Sequence, residues 1–152
     1  VSVKMISLKK INKSEIKEIS EILFDENVDY LKYFDPFNSQ EQFIQDFLKS
    51  SNDIYLKILN KKTFIGFVTL RGLDDGYKNP RFGIFIMEKY SNMGFGDAAL
   101  KKALDLCKEK YNFKKIELKV NKKNHTAIKI YKDNSFKVIG ESSNDQIMVC
   151  NL

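Results

Sequence analysis

The residues best suited to chemistry lie in one stretch, Phe82 to Ala103, which reads FGIFIMEKYSNMGFGDAALKKA. An apolar run leads into a polar corner that holds two glycines, Gly94 and Gly96, and a helical pattern follows. Because glycine has no Cβ, a ligand can approach the backbone closely at both positions. The first N–H groups of the helix lack partners and lie at the positive end of its dipole. The stretch therefore predicts an anion cradle that suits a phosphate group.

A second polar pattern, NKKNHTAIKIYKDNSF, spans residues 121–136. Ala127 and Tyr131 lie four residues apart and so share one face of a helix that we predict over residues 124–133. A tyrosine on an apolar helix face usually packs in the core, although its phenol can also act as a general acid. The only histidine, His125, occupies a polar turn of this helix, where solvation is a simpler interpretation than catalysis.

The remaining patterns predict the elements that position these residues. Ser39 and Gln42 have the spacing of a capping box at the start of one helix, and Asn12 or Ser14 can cap an earlier one. Gly66 inside a strand pattern indicates a bulge or a close backbone approach. We predict strands over residues 3–8, 53–59, 63–71, 82–87, 114–120, 136–140 and 145–151, and helices over residues 15–24, 40–49, 94–110 and 124–133.

The order of these elements predicts a single α/β domain of the α+β type over residues 1–152. It has about six to seven strands in one mixed sheet, flanked by about four helices. The hairpins make most of the sheet antiparallel. The helix between the strands at 82–87 and 114–120 makes that pair parallel.

Composition excludes several classes of protein. Of the 152 residues 43% are hydrophobic, which suits one domain with a core and excludes a disordered chain. The net charge is +6, but Arg71 and Arg81 are the only arginines among 26 basic residues, so we expect no nucleic-acid partner.

No apolar run reaches the ~20 residues of a membrane span and no leader pattern is visible, so we expect no membrane partner and a cytoplasmic location. Cys107 and Cys150 lack metal-site spacing, which predicts buried free thiols and no metal.

Together the two polar patterns resemble the GNAT superfamily of N-acetyltransferases, and the resemblance covers most of the chain. That superfamily has an Arg/Gln-x-x-Gly-x-Gly/Ala loop after a strand, followed one βα unit later by Asn, Ala and Tyr at set spacing and an aromatic ending. The resemblance implies the GNAT fold, in which the sheet splays between the strands at 82–87 and 114–120. Ser91 stands where the superfamily has Arg or Gln, which predicts weaker cofactor binding. The matching positions are Gly94, Gly96, Asn124, Ala127, Tyr131 and Phe136.

The resemblance implies acetyl-coenzyme A as cofactor and coenzyme A as product. The pantetheine arm would pair with the backbone of Ile84, Phe85 and Ile86 as an extra strand, and an amide near Ile86 would stabilise the oxyanion. Asn124 would hold the cofactor arm, and Tyr131 would protonate the departing thiolate. The pyrophosphate would bind the backbone amides of Asn92, Met93, Gly94, Phe95, Gly96 and Asp97.

Two segments at the expected acceptor mouth, residues 25–39 and 72–80, combine aromatic rings with carboxylates, which suits a ring-bearing or sugar-like cation. The alternative is that these rings close the core and that Asp74 and Asp75 form a solvated turn. Asp74, Asp75, Glu88 and an ordered water all stay open as acceptors of the amine proton, with Asp75 as the catalytic candidate. The candidate substrate-binding residues are Tyr33, Phe34, Asp74 and Tyr77.

The leading hypothesis is therefore an N-acetyltransferase for a small-molecule amine, such as an amino sugar or a nucleotide-linked amino sugar. The alternatives are a protein or peptide N-acetyltransferase and a non-catalytic coenzyme A-binding module. Relatives that acetylate protein N-termini have a glutamate in the strand before the asparagine motif. Lys119 stands there in this chain, which weakens the protein alternative. The sequence leaves the oligomeric state open, with a homodimer as one outcome.

Overall fold

The computed structural model describes residues 5–34 and 37–152. Within these residues seven strands and four helices follow one another along the chain, and short 3₁₀ turns at Tyr30–Tyr33 and Glu88–Tyr90 precede α2 and α3. The strands are β1 (Ile6–Lys10), β2 (Ile54–Asn60), β3 (Thr63–Arg71), β4 (Arg81–Ile86), β5 (Lys115–Asn121), β6 (Lys137–Ser142) and β7 (Asp145–Asn151). The helices are α1 (Ile16–Phe24), α2 (Gln40–Lys49), α3 (Phe95–Glu109) and α4 (His125–Asp133).

All seven strands join one mixed sheet in the order β1-β2-β3-β4-β5-β7-β6. Every neighbouring pair is antiparallel except β4 and β5, which are parallel and pair at one position, Arg81 opposite Glu117. The crossover through α3 imposes the parallel direction. Beyond Arg81 the two strands diverge, so the facing edge of β4 has no partner in the sheet. The predicted α+β fold, the mostly antiparallel sheet and the splay between 82–87 and 114–120 are confirmed.

Helices cover both faces of the sheet and bury two separate apolar cores. On one face α3 and α4 bury Phe95 and Tyr131 against the sheet, together with Phe82 of β4. On the other face α1 and α2 bury Phe43 against Phe85 of β4. Because side chains alternate along a strand, β4 presents its even-numbered residues to one core and its odd-numbered residues to the other.

Two helices begin at side-chain caps, and the sequence predicted the first of them. Ser39 Oγ accepts a hydrogen bond from Gln42 N–H at 3.1 Å, and α2 begins at Gln40. Asn124 Oδ1 accepts from Ala127 N–H at 3.4 Å at the start of α4. In both cases a side-chain oxygen satisfies an amide that the helix itself leaves unpaired.

The start of α1 differs from the prediction. Glu15 occupies the N-cap position in place of Asn12 or Ser14, and its side chain makes no capping bond. Its carboxylate accepts the Asn12 N–H at 2.8 Å and forms an ion pair with Lys57 of β2. A local bond to Asn12 and a tertiary contact with the sheet therefore both hold Glu15, and local sequence does not encode the tertiary contact.

The β4 backbone comes very close to Gly66 of β3. A Cβ at this position would lie 2.0 Å from the Phe85 carbonyl oxygen, a contact that no side chain tolerates. The register of β2 against β3 also shifts between Ile58 and Leu59, beside this glycine. Both the bulge and the close approach that the sequence indicated are therefore present.

Cys107 and Cys150 are buried free thiols, as predicted. Among residues 5–34 and 37–152, no helix combines the length and hydropathy that a membrane crossing requires. The same residues contain no group of three or more His, Cys, Asp or Glu side chains placed to hold a metal ion.

Candidate active site

A cleft of about 940 Å³ opens where β4 and β5 diverge. Its two sides differ in the helices that they face. The side toward α3 and α4 is here termed the cofactor wall. It consists of Ile84, Ile86, Ser91, Asn92, Gly94, Gly96, Asp97, Asn124 and Tyr131. The side toward α1 and α2, here termed the acceptor wall, consists of Tyr30, Tyr33, Phe34, Thr69, Arg71, Arg81, Gly83 and Phe85.

The backbone of β4 presents hydrogen-bonding groups to the cleft. Met87 N–H donates to Ile65 C=O at 2.9 Å, and the bonds of an antiparallel pair fall on alternate residues. Phe85 therefore also bonds to β3, whereas the N–H groups of Ile84 and Ile86 and the C=O of Ile84 face the gap. An extended chain with amide groups can pair with such an edge as an added strand.

The Ile86 carbonyl is already engaged, because the Tyr30 hydroxyl donates a hydrogen bond to it. Burial raises the pKa of Tyr30 to about 12, and the carboxylates of Glu26 and Glu88 add to the shift. The phenol therefore keeps its proton at neutral pH. This bond ties the segment after α1 to the end of β4 at one end of the cleft.

The loop from β4 to α3 has the backbone shape of an anion cradle. Asn92 and Gly94 adopt φ values of 60° and 86°, in the left-handed region, and Gly94 is the N-cap of α3. Ala98 N–H bonds to the Gly94 carbonyl at 3.1 Å and closes the first turn of the helix. The amides of residues 95–97 precede that bond and have no intrahelical partner, so they are available to an anion.

Gly96 and Asp97 lie in the first turn of α3, and both line the cleft. A Cβ on Gly96 would have Ile86 Cγ1 as its nearest neighbour at 4.0 Å, so a side chain here would extend into the cleft. The Asp97 carboxylate accepts from Lys101 Nζ at 2.7 Å and from Asn134 Nδ2 at 2.8 Å, and the Lys101 bond is the main cause of its lowered pKa. Lys101 also offsets the negative charge of Asp97, so the helix start can still attract an anion.

Some of the residues predicted to bind phosphate line the cleft, and others do not. Met93 is exposed and Phe95 is buried in the core, so each can contribute only its backbone amide. The Ser91 hydroxyl donates to the Glu88 carbonyl at 2.6 Å and thereby stabilises the turn that precedes the cradle. The other predicted residues, Asn92, Gly94, Gly96 and Asp97, line the cleft.

Tyr131 and Asn124 reach the cleft from helix α4. The Tyr131 ring packs against Phe82 and Phe136 at centroid distances of 6.4 and 5.6 Å, and burial raises its pKa to about 12. Its hydroxyl makes no hydrogen bond with the residues that the structure describes, so its proton is available to a ligand. Asn124 lines the cleft and caps α4 through Oδ1, while its Nδ2 makes no hydrogen bond with the described residues. His125 is exposed and lies outside the lining.

The aromatic part of the acceptor wall comes from the segment after α1. The Phe34 ring contacts those of Phe67 and Phe85 at centroid distances of 5.9 and 5.6 Å. Tyr33 is half-buried beside it and also lines the cleft. The structure therefore brings together the two predicted substrate-binding residues of this segment, Tyr33 and Phe34.

The polar part of the acceptor wall comes from β3 and β4, and none of its residues was predicted from the sequence. Thr69 and Gly83 are paired across the two strands, as are Arg71 and Arg81. All four line the cleft. One signal was present in the sequence: the two arginines flank a single hairpin loop, and antiparallel pairing places the residues at its ends opposite each other.

The loop between β3 and β4 folds away from the cleft, and Tyr77 N–H closes it by donating to the Gly72 carbonyl at 3.1 Å. The Asp74 carboxylate accepts from Asn52 N–H at 2.6 Å and Ser51 N–H at 3.1 Å. Partial desolvation opposes the shift, but these backbone bonds lower the pKa of Asp74 overall. Asp74 therefore serves as a cap for the chain that enters β2.

Asp75 and Tyr77 are exposed, and neither lines the cleft. Tyr77 contacts the wall only indirectly, because the Arg81 guanidinium lies 5.8 Å from its ring centroid. The structure thus does not bring Asp74, Asp75 or Tyr77 to the site, and their geometry does not favour the predicted roles. Of the carboxylates weighed from the sequence, Glu88 is the one that lines the cleft.

Comparison with known proteins gives a family and a fold. The model of the acetyltransferase (GNAT) family matches residues 16–136. The structure of spermidine N-acetyltransferase from Vibrio cholerae in complex with CoA and spermine is 19% identical with a TM-score of 0.81, over 97% of this chain and 96% of that one. Campylobacter jejuni N-acetyltransferase PseH is 19% identical with a TM-score of 0.71, over 97% and 98%.

RimL, a ribosomal L7/L12 alpha-N-protein acetyltransferase, is 13% identical with a TM-score of 0.80, over 97% of this chain and 91% of that one. No curated protein sequence matches the chain. At such identities the structural likeness shows the fold alone.

Proposed function

Because this chain belongs to the acetyltransferase (GNAT) family, we propose that it transfers the acetyl group of acetyl-coenzyme A to the primary amine of a small ring-bearing molecule, an amino sugar or a nucleotide-linked amino sugar. Its family makes it an N-acetyltransferase with acetyl-coenzyme A as donor. The acceptor class is the part that we propose. The observation that carries it is the acceptor wall, where aromatic rings stand beside a floor of Thr69 and Gly83.

The cofactor wall fits coenzyme A. The left-handed residues Asn92 and Gly94 and the open amides of residues 95–97 suit the pyrophosphate. The free edge of β4 at Ile84 and Ile86 suits the amide groups of the pantetheine arm. When bound there, acetyl-coenzyme A supplies an acetyl group that is activated as a thioester.

Residues of this chain then act on the reacting atoms. The N–H groups of Ile84 and Ile86 point into the gap about 7 Å apart, so one of them can donate to the thioester carbonyl oxygen as negative charge develops on it while the other pairs with the pantetheine arm. The Tyr131 hydroxyl, with its pKa raised by burial to about 12, holds a proton that it can give to the leaving sulfur. Phe82 and Phe136 pack against its ring and fix its orientation.

The attacking amine must lose a proton. The described lining holds four carboxylates, and Asp29 and Asp97 form ion pairs with Lys32 and Lys101. The other two, Glu88 after β4 and Asp145 at the start of β7, form no ion pair with the described residues and are the candidate proton acceptors. Replacing each in turn by its amide identifies which one accepts the proton, directly or through a water. A kcat loss of about 10²-fold in one variant and not in the other is the expected pattern.

The acceptor is tested with acetyl-coenzyme A and a panel of amines, following thiol release. The panel holds free and nucleotide-linked amino sugars, spermidine, and peptides with free N-termini. We expect turnover on the amino sugars. Turnover only on spermidine or only on peptides would contradict the proposed acceptor class. Coenzyme A binding without turnover on any amine would indicate a non-catalytic module.

A further inference from the structure

We propose that Tyr30 and Glu26 are positioning residues, which hold the acceptor side of the cleft at a fixed place relative to the end of β4. They belong to residues 25–34, here termed the acceptor segment, which also carries Tyr33 and Phe34 of the acceptor wall. This role rests on the proposed function and deepens it, because it names the contacts that would set the place of the acceptor amine relative to the thioester.

The acceptor segment is only partly buried. Its 3₁₀ turn, Tyr30–Tyr33, contains no fully buried residue, and Val28 is 85% exposed. Its backbone hydrogen bonds are local, such as those from Leu31 N–H to the Asn27 carbonyl at 3.1 Å and from Phe34 N–H to the Leu31 carbonyl at 2.9 Å. Local bonds satisfy the backbone groups of the turn but do not join it to the sheet.

Two hydrogen bonds join the acceptor segment to other elements of the described structure, and both reach the end of β4. The Tyr30 hydroxyl donates to the Ile86 carbonyl, and Glu88 N–H donates to Glu26 Oε2 at 2.8 Å. The segment also contacts the sheet through the Phe34 ring. Apolar ring contacts are not directional, whereas a hydrogen bond requires a particular distance and angle. The two hydrogen bonds therefore fix where the segment lies along the strand.

The bond from Tyr30 ends on a peptide group that is itself fixed. Its carbonyl belongs to Ile86, and its N–H belongs to Met87 and donates to the Ile65 carbonyl at 2.9 Å. Because a peptide group is planar, contacts at both ends determine its orientation. The N–H of the same Ile86 is one of the two donors proposed for the thioester oxygen. Tyr30 thus refers the acceptor segment to the residue next to the proposed chemistry.

The chain between β4 and α3 has further bonds of its own. Tyr90 N–H donates to the Met87 carbonyl at 2.9 Å, and the Tyr90 ring contacts that of Phe95 in α3 at a centroid distance of 6.4 Å. Loss of the Tyr30 hydroxyl or of the Glu26 carboxylate should therefore release the acceptor segment and leave the cofactor wall in place.

The kinetic test uses the whole chain with acetyl-coenzyme A as donor and glucosamine as acceptor. Tyr30→Phe keeps the ring in the acceptor wall and removes only the hydroxyl. We expect kcat/KM for glucosamine to fall by about 10- to 10²-fold, because a displacement of about 1 Å between reacting groups has an effect of this size. The KM for acetyl-coenzyme A and the affinity for coenzyme A, measured by calorimetry, should stay unchanged.

Glu26 allows a rescue experiment. Glu26→Ala should lower kcat/KM for glucosamine as Tyr30→Phe does, whereas Glu26→Gln keeps an oxygen that can accept the Glu88 N–H and should restore most of the loss. Glu21→Ala is the matched control, since this exposed side chain of α1 makes no hydrogen bond or ion pair with the described residues. Tyr111→Phe, outside the cleft, is the control for the loss of a phenol.

Amide hydrogen exchange tests the same role without an acceptor. Mass spectrometry of peptides that cover residues 25–34 should show exchange about fivefold faster in Tyr30→Phe and in Glu26→Ala than in the wild type, the value of one hydrogen bond, and no change in the two controls. Faster exchange in an enzyme without turnover on glucosamine would support the anchoring of the segment and contradict the proposed acceptor class.

Three results would overturn the positioning role. They are unchanged exchange of residues 25–34 in both variants, unchanged kcat/KM for glucosamine, and a loss of coenzyme A affinity as large as the loss in kcat/KM. The last result would show that the two bonds position the cofactor wall instead.

Discussion

The two walls of the cleft present different chemical groups to the ligands proposed for them. The cofactor wall presents mainly backbone groups, namely the amides around Gly94 and Gly96 and the edge of β4 at Ile84. The acceptor wall presents side chains that come from strands and from the segment after α1. Backbone recognition depends on a loop shape that a short sequence can specify. Side-chain recognition depends on which residues the register of the sheet places opposite one another.

This contrast predicts that cofactor binding at the cofactor wall is lost most severely when a side chain blocks the backbone amides. Gly96→Leu places a side chain in the cradle beside Ile86, where a Cβ has 4.0 Å of clearance and the fold can accept it. We expect kcat/KM for acetyl-coenzyme A to fall by about 10³-fold, because the pyrophosphate cannot reach the amides. Steady-state kinetics measures kcat/KM, and calorimetry measures the affinity for coenzyme A.

Gly140→Leu is the matched control. Gly140 lies in β6 outside the cleft, and a Cβ there has a similar clearance of 3.9 Å to Ile147 Cδ1. It should retain cofactor affinity. A Gly96→Leu enzyme that binds coenzyme A normally would show that the cradle lies elsewhere.

Tyr131→Phe tests the one side chain on which the cofactor wall depends for chemistry. The ring keeps its packing against Phe82 and Phe136, so the fold and cofactor affinity should be unchanged. We expect kcat to fall by about 10²-fold because the leaving sulfur loses its proton donor. Tyr111→Phe, which changes a ring stacked on Phe113 outside the cleft, should have no such effect.

The pH profile gives the same role an independent check. Burial raises the pKa of Tyr131 to about 12, so the phenol stays protonated throughout the range in which an amine acceptor loses its proton. The rate of the wild-type enzyme should therefore rise with pH and level off, with no decline near the ordinary tyrosine pKa of about 10. A decline at that pH that disappears in Tyr131→Phe would mean that the hydroxyl titrates normally.

On the acceptor wall the expected effects are smaller, because each side chain contributes one contact among several. Thr69→Val keeps the shape of the buried side chain and removes its hydroxyl. We expect the acceptor KM to rise about tenfold, the value of one hydrogen bond, with the KM for acetyl-coenzyme A unchanged. Thr63→Val, at the exposed start of the same strand, is the control. Equal kinetics in the two variants would remove Thr69 from the site.

Substitutions of Asp74 and Asp75 are expected to have the smallest effects on activity. They distinguish a structural role of these carboxylates from a catalytic one. Asp74→Asn weakens the cap on Ser51 and Asn52 and should lower the free energy of unfolding by about 1 kcal/mol. The pKa of Asp74 is lowered, so its contribution is complete above the ordinary carboxyl pKa and is lost as pH falls through the folded value. Denaturant titrations at neutral and acidic pH measure this.

Asp75→Asn should change neither stability nor kcat, since its exposed carboxylate lies outside the cleft lining. A kcat loss of about tenfold or more in this variant would restore Asp75 as the catalytic base.

Much of the fold follows from local sequence. The capping box at Ser39 and the asparagine at residue 124 begin α2 and α4, and the glycine corner begins α3. The bounds of α1 agree with the prediction to one residue, but its predicted cap was wrong: Glu15 stands at the N-cap and is held by Lys57 from a strand that lies far along the chain. Local patterns carry no information about such a partner.

The sequence by itself determined the local structure of the cofactor wall, the side of the cleft proposed to bind acetyl-coenzyme A. Gly94 and Gly96 begin a helix, so local geometry is enough to expose the backbone amides of the cradle. Tyr131 lies on the apolar face of the next helix, so its phenol is buried. Only the tertiary structure decided which side chains form the acceptor wall. In the folded chain the loop that contains Asp74 lies away from the cleft, and Arg71 lies opposite Arg81. The physical reason is that strand side chains alternate with a period of two, so their partners depend on a register that only the assembled sheet defines.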